Sequence, residues 1–257
     1  MALGEQTAQL ARRSVVRTTR QPASAIPPLI FPVALMLVNS AGLEPSTLLP
    51  GFPTDSFLAF ALAVPFIQGA LFATMNAGTE LARDIQTGFL NRLSLTSLRG
   101  SALLAGHLAG VVLLGLIQAV FYVLVGLLVG VEFASGVGGI LVLLVFSAVV
   151  SLGFGALGAF LALRTGSGES VQAMFPLLFV FLFISSMNTP LDLIAVDWFR
   201  WVATANPVSY LIDCVRSLII TGWDARALAL GFGIAIVIAV VSLVLAAWAL
   251  TQRMTRT

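Results

Sequence analysis

ELARDIQTGFLNRLSLTSLR, residues 80–99, is a charged, helix-patterned segment lying between two long apolar runs. It decides the reading because Glu80, Arg83, Asp84, Arg92 and Arg99 are gathered into one short connection of a chain whose long stretches otherwise lack charge. The flanking runs belong in lipid, so the connection must lie in water. There it presents a surface, and a partner protein is the natural thing for it to meet.

Composition supports that division. The 257 residues are 59% hydrophobic and only 9% charged, with a mean hydropathy of +1.04, far from the averages of soluble domains. Crossing a hydrocarbon layer takes about 20 mostly apolar residues in a helix, because a helix satisfies its own backbone hydrogen bonds. Six stretches qualify: roughly 25–43, 57–76, 102–130, 137–163, 171–188 and 227–250, none containing Asp, Glu, Arg or Lys. The runs are continuously apolar rather than alternating, which disfavours a β-barrel. The expected fold class is therefore an all-α integral membrane protein with six transmembrane helices. It forms a single domain over 1–257, divided into a cytoplasmic interfacial segment at 1–24, a bundle at 25–250 and a cytoplasmic tail at 251–257. Pro27, Pro28 and Pro32 crowd the first span and predict a late start or a bend there. The third and fourth runs exceed the need and predict tilt or overrun.

Arginine sets the expected orientation. With the N-terminus inside, all 13 basic residues except Arg200, Arg216 and Arg226 fall on the cytoplasmic side, a positive-inside bias that puts both termini in the cytoplasm. Residues 1–20 carry charge without an apolar core and do not read as a cleavable signal. Leu3, Leu10, Val15 and Val16 among the arginines suggest a helix lying at the inner surface. The net charge of +2 is too small to suggest nucleic acid. Basic residues read instead as contacts to membrane lipids.

Several chemistries are excluded by the inventory. There is no lysine to reach the phosphates of ATP in a P-loop, a lone His107 cannot supply metalloprotease spacing, and Cys214 has no second cysteine to pair with. The chain itself is not expected to be an enzyme or to bind a cofactor or metal. An ion-coupled carrier is the serious rival, but such proteins carry ionisable residues inside their spans. Here the interiors offer Gln68, Thr74, Asn76, His107, Gln118, Ser147, Ser151, Gln172 and Asn188, which read first as hydrogen bonds between helices. A membrane scaffold that recruits a cytosolic protein is a third reading.

On a helix starting near Glu80, the residues Leu81, Ile85, Phe89 and Leu93 recur at spacings of four and form one apolar stripe. Gly88 within the pattern costs about 1 kcal/mol relative to Ala and marks a break between two short helices. The plain reading is a surface helix that anchors the second span. The sharper reading is a lever that transmits force.

GFLNRLSLTSLRGSALLAGH, residues 88–107, resembles a segment of ABC-2 type exporter permeases through Gly88, Arg92, Leu93, Thr96 and Gly106. Ser97 stands where the family usually has Pro, and His107 where Lys or Arg is common. NPVSYLIDCVRSLIITG, residues 206–222, is similar to the pattern before the last span in drug-resistance-type members, through Asn206, Pro207, Asp213, Arg216 and Gly222. Arg17, Arg20, Pro22 and the Phe175-Pro176 pair extend the likeness along nearly the whole chain. The daunorubicin-resistance branch is nearest.

The resemblance implies the permease subunit of an ATP-driven exporter in a bacterial plasma membrane. It further implies two copies of a separate ABC ATP-binding subunit holding ATP and Mg, and a second permease chain, identical or related. The connection after span two would be the cytoplasmic coupling helix, with Glu80, Arg83, Asp84, Gly88, Phe89, Arg92 and Leu93 as coupling residues. Re-entrant or short helices between spans five and six would form an outer gate carrying Trp198, Asn206, Pro207, Asp213 and Arg216. The family's Pro just before the Trp is replaced by Val196 and Asp197. Asp213 and Arg216, three apart, share a helix face and can pair. A structural pair is favoured over a substrate site, because pairing offsets the cost of either charge near lipid. Small residues such as Gly106 and Gly110, Gly126 and Gly130, and Ser147, Ser151, Gly155 and Ala159 predict close helix contacts. Eighteen Phe against 2 Tyr and 4 Trp favour a hydrophobic or amphipathic cargo, a drug, lipid or lipid-like natural product, over a polysaccharide or glycolipid.

Overall fold

The computed structural model describes residues 22–88 and 100–254, and every helix expected from the apolar runs is present among them. They are α1 (Pro22–Leu43), α2 (Phe57–Ala61), α3 (Ala63–Gln86), α4 (Gly100–Leu128), α5 (Gly136–Thr165), α6 (Gly168–Phe183), α7 (Asp197–Ala205), α8 (Pro207–Arg216) and α9 (Ala225–Met254). No strand occurs among the described residues. Five segments are long and apolar enough to cross a membrane, and the protein is a multi-pass membrane protein. The interfacial helix expected over 1–24 lies outside the described residues up to 21.

The prolines of α1 neither delay nor end it. Pro32 has no N–H to offer the Pro28 carbonyl four residues back, and the Tyr122 hydroxyl of α4 donates to that carbonyl instead (2.5 Å). A neighbouring helix thus repairs the ladder, as helices in lipid require. Span two is broken once. Pro65 cannot donate to the Ala61 carbonyl, and the chain turns at Leu62 between α2 and α3. From there α3 runs on to Gln86, so the first half of the charged segment continues the span and is not a separate helix. Gly88 ends the run at φ +68°, and its N–H donates to the Ile85 carbonyl. The helix thus ends at the expected glycine, and the second short helix expected after it lies outside the described residues.

The centre of the bundle is α5, which packs along α3, α4 and α9. Small residues permit this. A Cβ on Gly158 would come within 2.0 Å of the Thr74 carbonyl oxygen of α3, and one on Gly153 within 3.0 Å of the Ala239 backbone nitrogen of α9. Ser147, Ser151, Gly155 and Ala159, the stripe expected to make close contacts, are all buried. The most enclosed span is α3, whereas α9 turns Ile236, Val237, Val240, Val241 and Val244 outward, an apolar face suited to lipid.

The fifth expected span, 171–188, is corrected by the structure. Helix α6 stops at Phe183 after 16 residues, a rise of about 24 Å against a hydrocarbon core of about 30 Å. The chain then turns through Ser185 and Ser186 and continues as a 3-10 turn (Leu191–Leu193) and the short helices α7 and α8. A π-helical turn (Ser217–Thr221) follows and leads to α9. Short helices between the fifth and last apolar segments were expected, and they are present.

Gly158→Leu drives a side chain into the α3 backbone. It is expected to destabilise by at least about 1–3 kcal/mol, read as a lowered thermal midpoint in detergent. Gly42→Ala, where a Cβ meets nothing within 4 Å, should leave that midpoint unchanged.

Candidate functional site

Asn206, Ser209, Asp213 and Arg216 recur at three- and four-residue spacing along α8 and so share one face. That face grips the turn that follows α6. Asn206 caps α8, its Oδ1 accepting from the Val208 N–H (2.9 Å), with Pro207 at the first helical position where its missing N–H is harmless. The Asn206 Nδ2 donates to the carbonyls of Phe181 (2.5 Å) and Ile184 (3.2 Å), in the final turn of α6, where a helix leaves its carbonyls without partners. One side chain therefore joins the start of one helix to the end of another.

The next three residues complete the grip. The Ser209 hydroxyl accepts from the Ser186 N–H (3.1 Å) and donates to the Ala203 carbonyl (2.7 Å). Asp213 Oδ1 accepts from the Ser186 hydroxyl (3.0 Å) and from Arg216 Nη1 (3.0 Å). Arg216 Nη2 donates to the carbonyls of Ser186 (3.0 Å) and Met187 (3.2 Å), and Nε donates to the Phe60 carbonyl (3.4 Å) beside the break in span two. The guanidinium carbon lies 3.5 Å from the Phe60 ring centroid, a cation–π contact in a desolvated place. Arg216 is buried, and each of its three nitrogens has a partner.

Asp213 and Arg216 form an ion pair at 3.0 Å, and Cys214 between them is buried. Below the pair a cavity of about 480 Å³ opens at this end of the bundle, with Asp192, Tyr210, Asp224 and Arg226 among its lining. Asp224 is committed to the first turn of α9, accepting from the N–H groups of Arg226 (2.9 Å) and Ala227 (3.1 Å).

Of the expected outer residues, Asn206, Pro207, Asp213 and Arg216 come together, whereas Trp198 stands apart on α7, 66% exposed. Residues missed in the sequence are Phe60, Ser186 and Ser209. The spacing of Ser209 on the α8 face was a signal for it. Phe60 contributes a carbonyl and a ring from another helix, and no sequence pattern flags that. At the opposite end, Glu80, Arg83 and Asp84 stand on the last turns of α3, while Leu81 and Ile85 of the predicted stripe are buried against Leu163 and Val171. Phe89, Arg92 and Leu93 lie outside the described residues. Among the interior polar groups, His107 Nε2 lies 3.0 Å from the Ala77 carbonyl and joins α4 to α3. The buried side-chain amides of Gln68 and Gln118 have no hydrogen-bond partner among the described residues.

Comparison with known proteins bears on the chain as a whole. The family model described as ABC-2 type transporter matches residues 5–220. A relative from Streptomyces coeruleorubidus, the daunorubicin resistance ABC transporter permease protein DrrB1, is 33% identical over 171 residues. That alignment covers 64% of this chain and spans 58% of the relative's own length.

Arg216→Leu leaves Asp213 and three carbonyls without their donor and is expected to cost about 3–5 kcal/mol. Asn206→Ala removes a cap and two interhelix bonds and should cost about 1–3 kcal/mol. Denaturant or thermal unfolding of the purified variants measures both.

Proposed function

Because the chain belongs to the ABC-2 type transporter family, its residues 5–220 matching the family model, we propose that it is the permease subunit of an ATP-driven exporter. A separate ABC subunit, present in two copies and holding ATP and Mg, supplies the energy, and a second permease chain completes the pathway. The relative's name, a permease protein of a daunorubicin resistance ABC transporter, favours this division of labour, as does the absence of lysine from the 257 residues. Both termini lie in the cytoplasm of a bacterial cell. The short α6, with the turn and α7–α8 beyond it, makes the fifth of six crossings. Interrupted backbone at that depth is tolerable because protein surrounds it.

The observation that carries the mechanism is the continuity of α3. It is a 24-residue helix, about 36 Å long. At one end are Glu80, Arg83 and Asp84, followed by Gly88, Phe89, Arg92 and Leu93 as the coupling segment. At the other is the break at Leu62, two residues from the Phe60 carbonyl and ring that hold Arg216. Closure of the two ATPases pushes on the coupling segment, α3 carries the displacement as a rigid rod, and the Phe60–Arg216 contact passes it to α8. Asn206, Asp213 and Arg216 then move with the end of α6 as one outer gate.

Aromatic side chains favour an apolar or amphipathic cargo, a drug, lipid or lipid-like natural product. Phe31 of α1, Phe72 of α3 and Phe175 and Phe179 of α6 form a ladder of ring contacts at 4.7–6.3 Å, a surface that binds by apolar area and ring stacking.

Phe89→Ala and Arg92→Glu are expected to lower export by at least about fivefold while the chain still folds and inserts. Vesicles containing the permease and its co-purified ATPase measure this. Export should continue when the proton gradient is collapsed and ATP is present. Normal export by these variants would refute the lever, and loss of export with the gradient would favour an ion-coupled carrier.

A further inference from the structure

The nine-residue helix α7 presents its largest apolar side chains to the outside: Trp198 is 66% and Trp201 74% exposed. They are three apart and share a face. The opposite face is used inside the protein, with Ala203 buried and Phe199 half-buried. Nor is α7 loosely attached. Ser209 donates to the Ala203 carbonyl, the Tyr210 hydroxyl to the Thr204 carbonyl (2.8 Å), and Arg200 Nε to the Ile194 carbonyl (2.8 Å). Two of these bonds come from α8 itself, so α7 and the gate helix move together.

The level of α7 along the bundle can be read from α9. Trp223 and Trp248, both exposed, stand just before that helix and near its far end. At 1.5 Å per residue they are about 37 Å apart. This lies between the thickness of a hydrocarbon core, about 30 Å, and that of the core with its headgroup regions, about 40–45 Å. Exposed tryptophans at such a separation mark the two interfacial layers. Asp192, shortly before α7, lines the same cavity as Asp224 and Arg226 at the start of α9, so α7 stands at the Trp223 end. The charges beside the indoles are Asp197 and Arg200, paired at 3.8 Å and exposed, which leaves the face without net charge.

We propose that α7 is an interfacial anchor, with Trp198 and Trp201 seated in the phospholipid headgroup layer at the Trp223 end of the bundle. The occupant of this face is a lipid surface. Indole rings beside a neutral ion pair match a layer that is apolar on one side and wet on the other. Through its bonds to α8, the anchor holds the gate at a fixed depth. Only that consequence rests on α8 being the gate, since the seating of the indoles does not depend on transport.

The test is fluorescence quenching in phosphatidylcholine vesicles, using the full chain reconstituted without any other protein. In a W223F/W248F variant the remaining emission comes from Trp198 and Trp201 alone. Bromines near the headgroups, at acyl positions 6 and 7, should quench it more than bromines at positions 11 and 12, and aqueous acrylamide should quench it less than free tryptophan. Adding W198F and W201F to that variant should abolish the shallow-quenched emission while the chain keeps its thermal midpoint. Stronger quenching by the deep bromines would overturn the proposal by placing α7 in the hydrocarbon. So would acrylamide quenching without lipid quenching, which places it in water. Insensitivity to every quencher, with disulfide cross-linking between chains of a Trp201→Cys variant, would assign the face to a second copy. No readout here requires export, so such a failure leaves the permease reading standing.

Discussion

A backbone carbonyl freed by an interrupted helix must find a donor inside the protein when no water is at hand, and the architecture of this chain follows from how that demand is met. Helix α6 ends at Phe183 and span two breaks at Leu62. The first exposes carbonyls whose donors come from the polar face of α8, and the same face reaches the Phe60 carbonyl beside the second. Arg216 serves the carbonyls of Ser186, Met187 and Phe60, and Asn206 those of Phe181 and Ile184. An arginine suits this task because its planar fork carries five N–H donors and keeps its charge. Asp213 offsets the burial of that charge and gives the fork a fixed direction.

The same bonds make this end of the bundle mechanically continuous. A segment held only by apolar packing slides with little directional preference, whereas one held by several directed bonds moves as a body. Through Ser209 and Tyr210 the grip reaches α7, and through Phe60 it reaches span two. The π-helical turn after α8 is fixed as well. Its Leu218 carbonyl accepts from the Ser135 hydroxyl (2.6 Å), and its Ile219 carbonyl from the Ala134 N–H (2.9 Å). Beneath this assembly, Gly158 lets α5 approach the α3 backbone, so the rod linking the two ends of the protein is held along its length by close contact.

Much of this was legible in the chain. The apolar runs predicted the helices to within a few residues in most cases, because hydropathy is a local property and a span needs only length and the absence of charge. The polar spacing of Asn206, Asp213 and Arg216 was visible, as was the break at Gly88. Two expectations about helix limits were altered. The prolines of α1 did not delay it, because a tyrosine 94 residues away supplied the missing bond. The fifth span ended early, at a turn whose Ser186 bonds to a helix that begins some 20 residues later. Trp198 looked like part of the same cluster as Asn206, but it faces outward.

Local chemistry was enough to determine from the sequence alone that this chain lives in lipid and is built from long apolar helices. Which groups satisfy one another was decided only by the tertiary structure. Arg216 reaches carbonyls 29, 30 and 156 residues distant, and a backbone carbonyl looks the same in the sequence whatever residue carries it. A hydrogen bond to such an acceptor leaves no periodicity and no motif, so its partner is known only once the helices are in place.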